Sequence, residues 1–396
     1  MVVSDVDPYD GSFPFASEPC GFVFIFGLPL FILCALLWTP FGSGPHGALW
    51  AVCAIVVWFS GAFMRGSRMI RGGGVFWGAT TGVGVLYIAF LCAALTQPLS
   101  SLQTVAAWLD PINATGPAGT SLPEQSYGAA CALTWDNVRH HCDIFVAAHV
   151  LGWVGKALMF RDAAISVALS LLFELMEYTF AYLLPNFHEC WWDHWLLDFL
   201  LCNGLGILLG HALMRATSMR EYNWLGLRVV DRKQGLKGAL TCFMSTSTST
   251  LARDPRRAAG LVFLGLWIMA IDLNAFFLKY MLRVLPASPL NALRLALMAL
   301  LGGAAMREYY AFLTLGTPFG PIGTVSLIGT FLETAVVFKF AKDVPEWQGL
   351  YAPAHYVNMW CAAVVCAFVA GVIVYWPLLG SGGGGLVSRR AKAKAT

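Results

Sequence analysis

The sequence predicts an all-α, polytopic integral membrane protein of about ten transmembrane helices. Three observations carry that reading. Of 396 residues, 58% are apolar and 12% charged, and mean hydropathy is +0.66. A soluble domain carries about 25% charge, so this chain lacks the polar surface to cover its own core. Ten apolar runs approach the length of about 20 residues that crosses a ~30 Å hydrocarbon layer. Lys and Arg collect in alternate connections between those runs, as the positive-inside rule requires. The net charge of +3 is spread over short loops. A soluble single domain, a disordered chain and a nucleic-acid binder are thereby excluded.

The runs are 20–38, 48–64, 74–97, 143–160, 162–184, 193–214, 259–282, 287–306, 321–341 and 355–378. The fourth is the weakest, because His149 and Lys156 interrupt it. Residues 1–19 are acidic and lack Lys and Arg, which sets the first run too far in for a cleaved signal peptide. Arg65, Arg68 and Arg71 follow the second run. Arg215, Arg220, Arg228, Arg232, Lys233, Lys237, Arg253, Arg256 and Arg257 fill the loop 215–258, and Arg389, Arg390, Lys392 and Lys394 crowd the tail. With ten spans, all three segments lie on one side, the cytosol.

The expected layout is a cytosolic N-terminal segment 1–19, a membrane catalytic domain 20–378 and a Gly-rich, basic cytosolic tail 379–396. Loop 98–142 then faces the lumen, and its Asn113-Ala114-Thr115 is an acceptor sequon for glycosylation. The terminal Lys392-Ala393-Lys394-Ala395-Thr396 resembles a dilysine retrieval signal of the endoplasmic reticulum, a receptor-read address. Most of the eleven cysteines are expected to act as small buried hydrophobes. Cys131, Cys142 and Cys190 fall on the lumenal side, where a disulfide can form.

Chemistry concentrates between 174 and 198, which reads ELMEYTFAYLLPNFHECWWDHWLLD. Charge at bilayer depth costs a few kcal/mol or more, so an intramembrane ionisable group is a candidate functional residue. Glu174 and Glu177 are three apart and share a helix face. Glu189 and Asp193 would share one if the next helix begins near 188. Pro185 cannot continue a helix interior, so LLPNF marks a turn that folds the two acidic pairs toward each other. Crowded carboxylates repel, and a hard divalent cation relieves that; Ca²⁺ takes six to eight oxygens. Asn186 and Asn203 could add neutral oxygens. Zn²⁺ held by His188, Glu189, Asp193 and His194 is the competing assignment, which the excess of oxygen donors disfavours. His149 and Glu177 lie six and seven residues inside their spans, both roughly 10 Å deep at 1.5 Å per residue. Trp191 and Trp192 are expected in the interfacial aromatic belt. Asp272, Asn274 and Glu333 read as interhelical polar contacts. Arg307 offers a planar donor for a phosphate or carboxylate.

The string FELMEYTFAYLLPNFHECWWDHWLLDFLLCNGLGILLG closely resembles the central motif of eukaryotic base-exchange phosphatidylserine synthases. Supporting matches are PHGALW at 45–50, WLDP at 108–111, DIFVAAHVLGWVGKALMFR at 143–161, MREYNW at 219–224, LNAFFLKY at 273–280 and MREYYAFLT at 306–314. Gly47 stands where Pro is usual, and the N-terminal stretch and tail have no counterpart. The resemblance implies a ten-span enzyme of the endoplasmic reticulum membrane. It would exchange the head group of phosphatidylethanolamine or phosphatidylcholine for L-serine, using calcium and no nucleotide. The family's essential positions match His149, Glu174, Glu177, Asn186, Glu189, Asp193, Asp198 and Asn203.

The expected roles follow. His149 is the acid–base group or a covalent nucleophile, and Asp198 orients it or a ligand. Glu174, Glu177, Glu189 and Asp193 hold calcium. Asn186, Asn203 and Arg307 bind substrate. A homodimer is compatible with such a chain. The CDP-alcohol phosphatidyltransferase string (D-G-x2-A-R, then G-x3-D-x3-D) is absent, the lone Asp10-Gly11 lying in the polar N-terminus. Two rivals remain. A membrane-bound acyltransferase would use an intramembrane His but not five clustered carboxylates. A cation-coupled transporter would show repeated halves.

Overall fold

The computed structural model describes residues 74–110, 127–128, 131–142, 144–225, 254–286 and 288–380. The N-terminal segment, the first two expected spans, the sequon at Asn113, most of loop 215–258 and the tail beyond 380 lie outside the described residues. Within them the chain is helical: α1 (Gly74–Ala94), α2 (Leu99–Leu109), α3 (Trp135–His141), α4 (Ile144–Phe160), α5 (Ala163–Phe180), α6 (Asp193–Ala216), α7 (Pro255–Met281), α8 (Pro289–Leu315), α9 (Pro321–Phe340) and α10 (Ala354–Gly380). Among the described residues five helices are long and apolar enough to cross a membrane: α5, α6, α7, α8 and the stretch Pro321–Asp343. Thr80–Ala94, Val146–Phe160 and Ala354–Cys366 are apolar but shorter. An all-α membrane protein is therefore established, and the number of spans is not. Leu200, Leu208, Leu293 and Phe338 are exposed, as residues facing lipid would be.

Two compact units divide the chain, Met1–Trp224 with Phe263–Leu350, and Leu225–Val262 with Tyr351–Thr396. The second contains α10 and the first turns of α7. The first holds the acidic segment and a core in which Ile88, Leu301, Val325 and Leu332 are buried together.

Local chemistry sets the helix ends. Asp162 caps α5, its carboxylate accepting from Ala164 N at 2.9 Å and Ile165 N at 3.1 Å. Ser288 caps α8 ahead of Pro289, and Pro321 opens α9; proline at the first helical position loses no bond there. Gly316 ends α8 at φ +70, a left-handed turn that costs glycine little.

Two features position the site. In α6, Gly206 and Gly210 lie against α4 so closely that a Cβ on Gly206 would stand 2.5 Å from Val150 O, and one on Gly210 would stand 2.6 Å from Ala157 Cβ. Small residues at this spacing let two membrane helices touch backbone to backbone. The first half of α6, Asp193–Asn203, is a π-helix. In an α-helix at about 100° per residue, positions 194 and 203 would lie on opposite faces. Bonding from i to i+5 turns the chain only roughly 80° per residue, which brings them onto one face.

Asp272, Asn274 and Glu333 make the interhelical contacts expected of them. Arg294 donates to both oxygens of buried Glu333, at 2.8 and 2.5 Å, and to Ile271 O, while Tyr87 OH donates to Glu333 Oε1 at 2.5 Å. Lys156 Nζ sits 2.7 Å from Asp272 Oδ2. Asn274 donates to Thr330 O and Thr334 Oγ1. Removing one member of a buried pair strands its partner's charge, whereas replacing both with apolar groups is close to neutral. Arg294→Met should thus cost about 3–5 kcal/mol, read as resistance to denaturation in micelles. The double change Arg294→Met with Glu333→Leu should recover most of it.

Candidate active site at the acidic hairpin

α5 carries Ser170, Glu174 and Glu177 down one face at three- and four-residue spacing, and all three are buried. After α5 the chain turns through a single 3₁₀ turn at Pro185–Phe187 and re-enters as α6. The expected hairpin forms at LLPNF. Its return arm differs from the simple pattern: regular bonding begins only past Cys190, so Glu189 lies ahead of the helix and does not share a face with Asp193.

Three carboxylates converge on one imidazole. His194 Nδ1 lies 3.4 Å from Glu174 Oε2, 3.5 Å from Glu177 Oε2 and 3.6 Å from Glu189 Oε2. Tyr178 stacks on the ring at 4.3 Å. Glu174, Glu177 and His194 present ligand atoms within 4.8 Å of one another. Asn203 closes the group, its Nδ2 donating to Glu174 Oε1 at 2.8 Å and to Ser170 Oγ at 3.0 Å. The π-turn makes this possible, because His194 and Asn203 both reach Glu174. Burial, and next the neighbouring Glu177, push the Glu189 carboxyl well above the ordinary carboxylate range.

The bonding is incomplete in one direction. Glu177 Oε2, Glu189 Oε2 and Asn203 Oδ1 are buried acceptors without a hydrogen-bond partner. A buried acceptor left unsatisfied costs about 1–3 kcal/mol, more when charged. These oxygens fit a hard cation, and the single imidazole among them is the only softer donor of the group.

Beside the cluster is a second unit. His149, on α4, holds Asp198 Oδ1 at 2.9 Å through Nδ1. Asp198 is buried and His149 half-buried. A carboxylate on Nδ1 fixes the tautomer and leaves Nε2 as the basic nitrogen. The close contact of α4 with Gly206 and Gly210 brings this imidazole to α6.

Other expected site residues are placed elsewhere. Asp193 turns away from the cluster and bonds His141 Nδ1 at 2.5 Å. Asn186 accepts from Lys279 Nζ at 3.2 Å. Arg307 is exposed and remote. Its neighbour Tyr310 packs on Tyr222 and Trp224, and Trp224 bonds Phe160 O. Phe160 is eleven residues from His149, roughly 16 Å along α4, so Arg307 belongs to the opposite end of the bundle. Trp192 is no belt residue; it is buried, with Nε1 on Cys131 O at 3.3 Å, while Trp191 is exposed. Cys131 and Cys190 form a disulfide, leaving Cys142 free. Lys156 is taken by Asp272, on α7. In the sequence His194 reads only as a zinc ligand, and neither His141 nor Lys279 reads as a site residue. Nothing in the linear pattern marks either one beyond an adjacent His pair and a lone Lys at a helix end.

A family model described as phosphatidyl serine synthase matches residues 73–341, which include every residue of this site. The chain is 32% identical over 351 residues to a rice (Oryza sativa subsp. japonica) CDP-diacylglycerol–serine O-phosphatidyltransferase 2, covering 79% of this chain and 81% of that one. It is 31% identical over 337 residues to the phosphatidylserine synthase of Drosophila melanogaster, covering 82% and 65%. With human phosphatidylserine synthase 2 it shares 32% over 306 residues, covering 74% and 62%. It thus spans less than two thirds of the length of the fly and human proteins. On these matches the chain belongs to the phosphatidyl serine synthase family.

Proposed function

We propose that this chain is a phosphatidylserine synthase, a phosphatidyltransferase that exchanges the head group of phosphatidylethanolamine or phosphatidylcholine for L-serine. The observation that carries the reading is the pairing of an Asp198-held imidazole with a cluster of buried, unpartnered oxygens. His149 Nε2 takes the proton of the serine hydroxyl as that oxygen attacks the phosphodiester phosphorus. The bond from phosphorus to the choline or ethanolamine oxygen breaks, and His149 returns the proton to it. One phosphoester bond forms and one breaks, so the exchange is nearly isoenergetic and needs no activated donor. The rice relative's name specifies CDP-diacylglycerol instead. Against that donor stands the absence of the CDP-alcohol transferase string from this sequence.

Glu174, Glu177 and Glu189, with Asn203 Oδ1, are the residues that would hold calcium. Bound there, calcium supplies positive charge that neutralises the phosphodiester. Asp198 keeps the His149 tautomer, and Asn203 and Ser170 fix Glu174. Asp193 acts one step back from these ligands, through its turn.

The ten-span arrangement in the endoplasmic reticulum membrane, with both termini cytosolic and the site lumenal, belongs to the same proposal. It draws support from the Lys and Arg distribution and from the Cys131–Cys190 disulfide beside the site, since disulfides persist in oxidising compartments. Protease added to sealed microsomes should then remove a tag after Thr396 and spare one placed near Gly116. A protected tail would reverse the orientation.

Purified protein in phosphatidylethanolamine or phosphatidylcholine vesicles should convert labelled serine to labelled phosphatidylserine without CTP or CDP-diacylglycerol. Label appearing only with CDP-diacylglycerol would replace base exchange by the reaction in the rice protein's name. His149→Ala should lower turnover by about 10²–10⁴-fold and leave calcium binding intact. Glu177→Gln should be partly rescued by excess calcium, because it removes one charge and keeps one oxygen. Rescue of His149→Ala but not of Glu177→Gln would reverse the two roles. A labelled lipid trapped on the wild-type protein without serine would make His149 a covalent nucleophile.

A further inference from the structure

The turn that supplies Glu189 is held by a separate piece of chain. Residues 188–193 form no regular structure until Trp191, and their own backbone bonds are few, Asp193 N and His194 N reaching Cys190 O at 3.0 and 3.2 Å. Yet Glu189 must keep a buried carboxylate oxygen within 3.6 Å of His194. The restraint comes from the segment before α4. Cys131 is bonded covalently to Cys190, the residue next to Glu189, across 59 positions of sequence. Cys131 O accepts from Trp192 Nε1. His141, the last residue of α3, bonds Asp193 and lies between two rings, with Trp192 at 4.7 Å and Tyr127 at 5.4 Å. Gly128 lies so near His188 that any Cβ would stand 2.0 Å from its Nδ1. Contacts therefore reach His188, Cys190, Trp192 and Asp193, on both sides of the ligand carboxylate, from one short segment.

We propose that this segment is a positioning latch for the acidic turn, so that the cation affinity of the site depends on the Cys131–Cys190 bond and on His141. The inference rests on the reading of Glu189 as a cation ligand. Three like charges at this separation drive the only non-helical member outward. Glu174 and Glu177 are fixed by α5, and Glu189 has no helix to hold it. The disulfide removes the turn's freedom to swing out, and His141 both satisfies Asp193 and keeps it from competing with Glu189 for the same space. Partners that orient metal ligands without touching the metal typically alter affinity by about 10–100-fold when removed. The latch is expected to act in that range, on calcium affinity rather than on turnover.

The test uses full-length protein in lipid nanodiscs, with calcium binding measured by calorimetry beside the exchange rate as a function of calcium. Reduction of the folded wild type by a water-soluble phosphine opens one S–S bond to two thiols with the phosphine oxidised, and thiol labelling counts the product. Opening the bond should weaken calcium binding by about tenfold or more, while the exchange rate at saturating calcium stays near that of the oxidised protein. Cys131→Ser with Cys190→Ser should reproduce the weaker binding and show no further response to phosphine. His141→Leu should weaken binding similarly, and His141→Asn, which keeps a donor near the place of Nδ1, should restore most of it. Equal calcium affinity in oxidised and reduced protein would overturn the latch, and so would a loss confined to turnover at saturating calcium. If the serine variants fail to fold, reduction of the folded wild type decides alone. A wild type that binds no calcium would instead overturn the cation reading.

Discussion

Carboxylates buried around a single imidazole repel strongly in a medium of low dielectric, and the rest of this unit is arranged around that cost. Glu174, Glu177 and Glu189 approach the same imidazole nitrogen at 3.4, 3.5 and 3.6 Å. No single element could supply them. Two come from α5 and one from the turn before α6, while the imidazole and Asn203 come from the π-turn of α6. A helix that kept α-geometry through 193–203 would carry Asn203 away from Glu174 and leave the carboxylates with fewer donors. The π-turn is thus the local backbone consequence of an electrostatic demand, which agrees with the frequent occurrence of such turns at functional sites.

Comparison with the other buried charges separates structural ions from chemical ones. Arg294, Glu333 and Tyr87 bond one another across α1, α8 and α9, with Arg294 Nη1 left over, and Lys156 with Asp272 ties α4 to α7. In both groups opposite charges meet directly and Glu333 accepts three bonds. In the acidic hairpin the charges are mostly of one sign, and three acceptor oxygens remain without a partner. A fold gains nothing from such an arrangement by itself, since an apolar core would cost less. The cation proposed for this site would supply the missing positive charge.

Much of this was legible in the sequence, for identifiable reasons. The helices follow from apolar runs whose length is fixed by the bilayer, and the hairpin follows from Pro185. The three-residue spacing of Glu174 and Glu177 places them on one face whatever surrounds them. The fate of Asp193 was not legible. A spacing of four pairs it with Glu189 only if both are helical, and the helix starts too late for that. Its partner His141 lies 52 positions away, in a segment with no apolar pattern to mark it. Trp192 was misplaced for the same reason: the ring is indistinguishable in sequence from its exposed neighbour Trp191, and a tertiary bond to Cys131 decides between them. Arg307 failed on geometry, because guanidinium chemistry says what could be bound and not which end of the bundle it occupies.

An exchange between two phosphoesters of similar energy asks little of the protein in driving force and much in placement. In the proposed reaction the cation ligands and the base come from different elements. Here α4 brings His149, and its register against α6 is set by Gly206 and Gly210, where a single added carbon would force the helices apart. Asp198 then links the imidazole to the same π-turn that carries His194 and Asn203. The His149 imidazole and the acidic cluster are therefore both tied to α6, and Cys131 and His141 hold the turn that carries Glu189. Preorganisation of this kind lowers a barrier without any reorganisation at the moment of reaction. It follows that displacing one end of α6 should disturb the imidazole and the acidic cluster together, whereas a change in the 188–193 turn should reach the carboxylates alone.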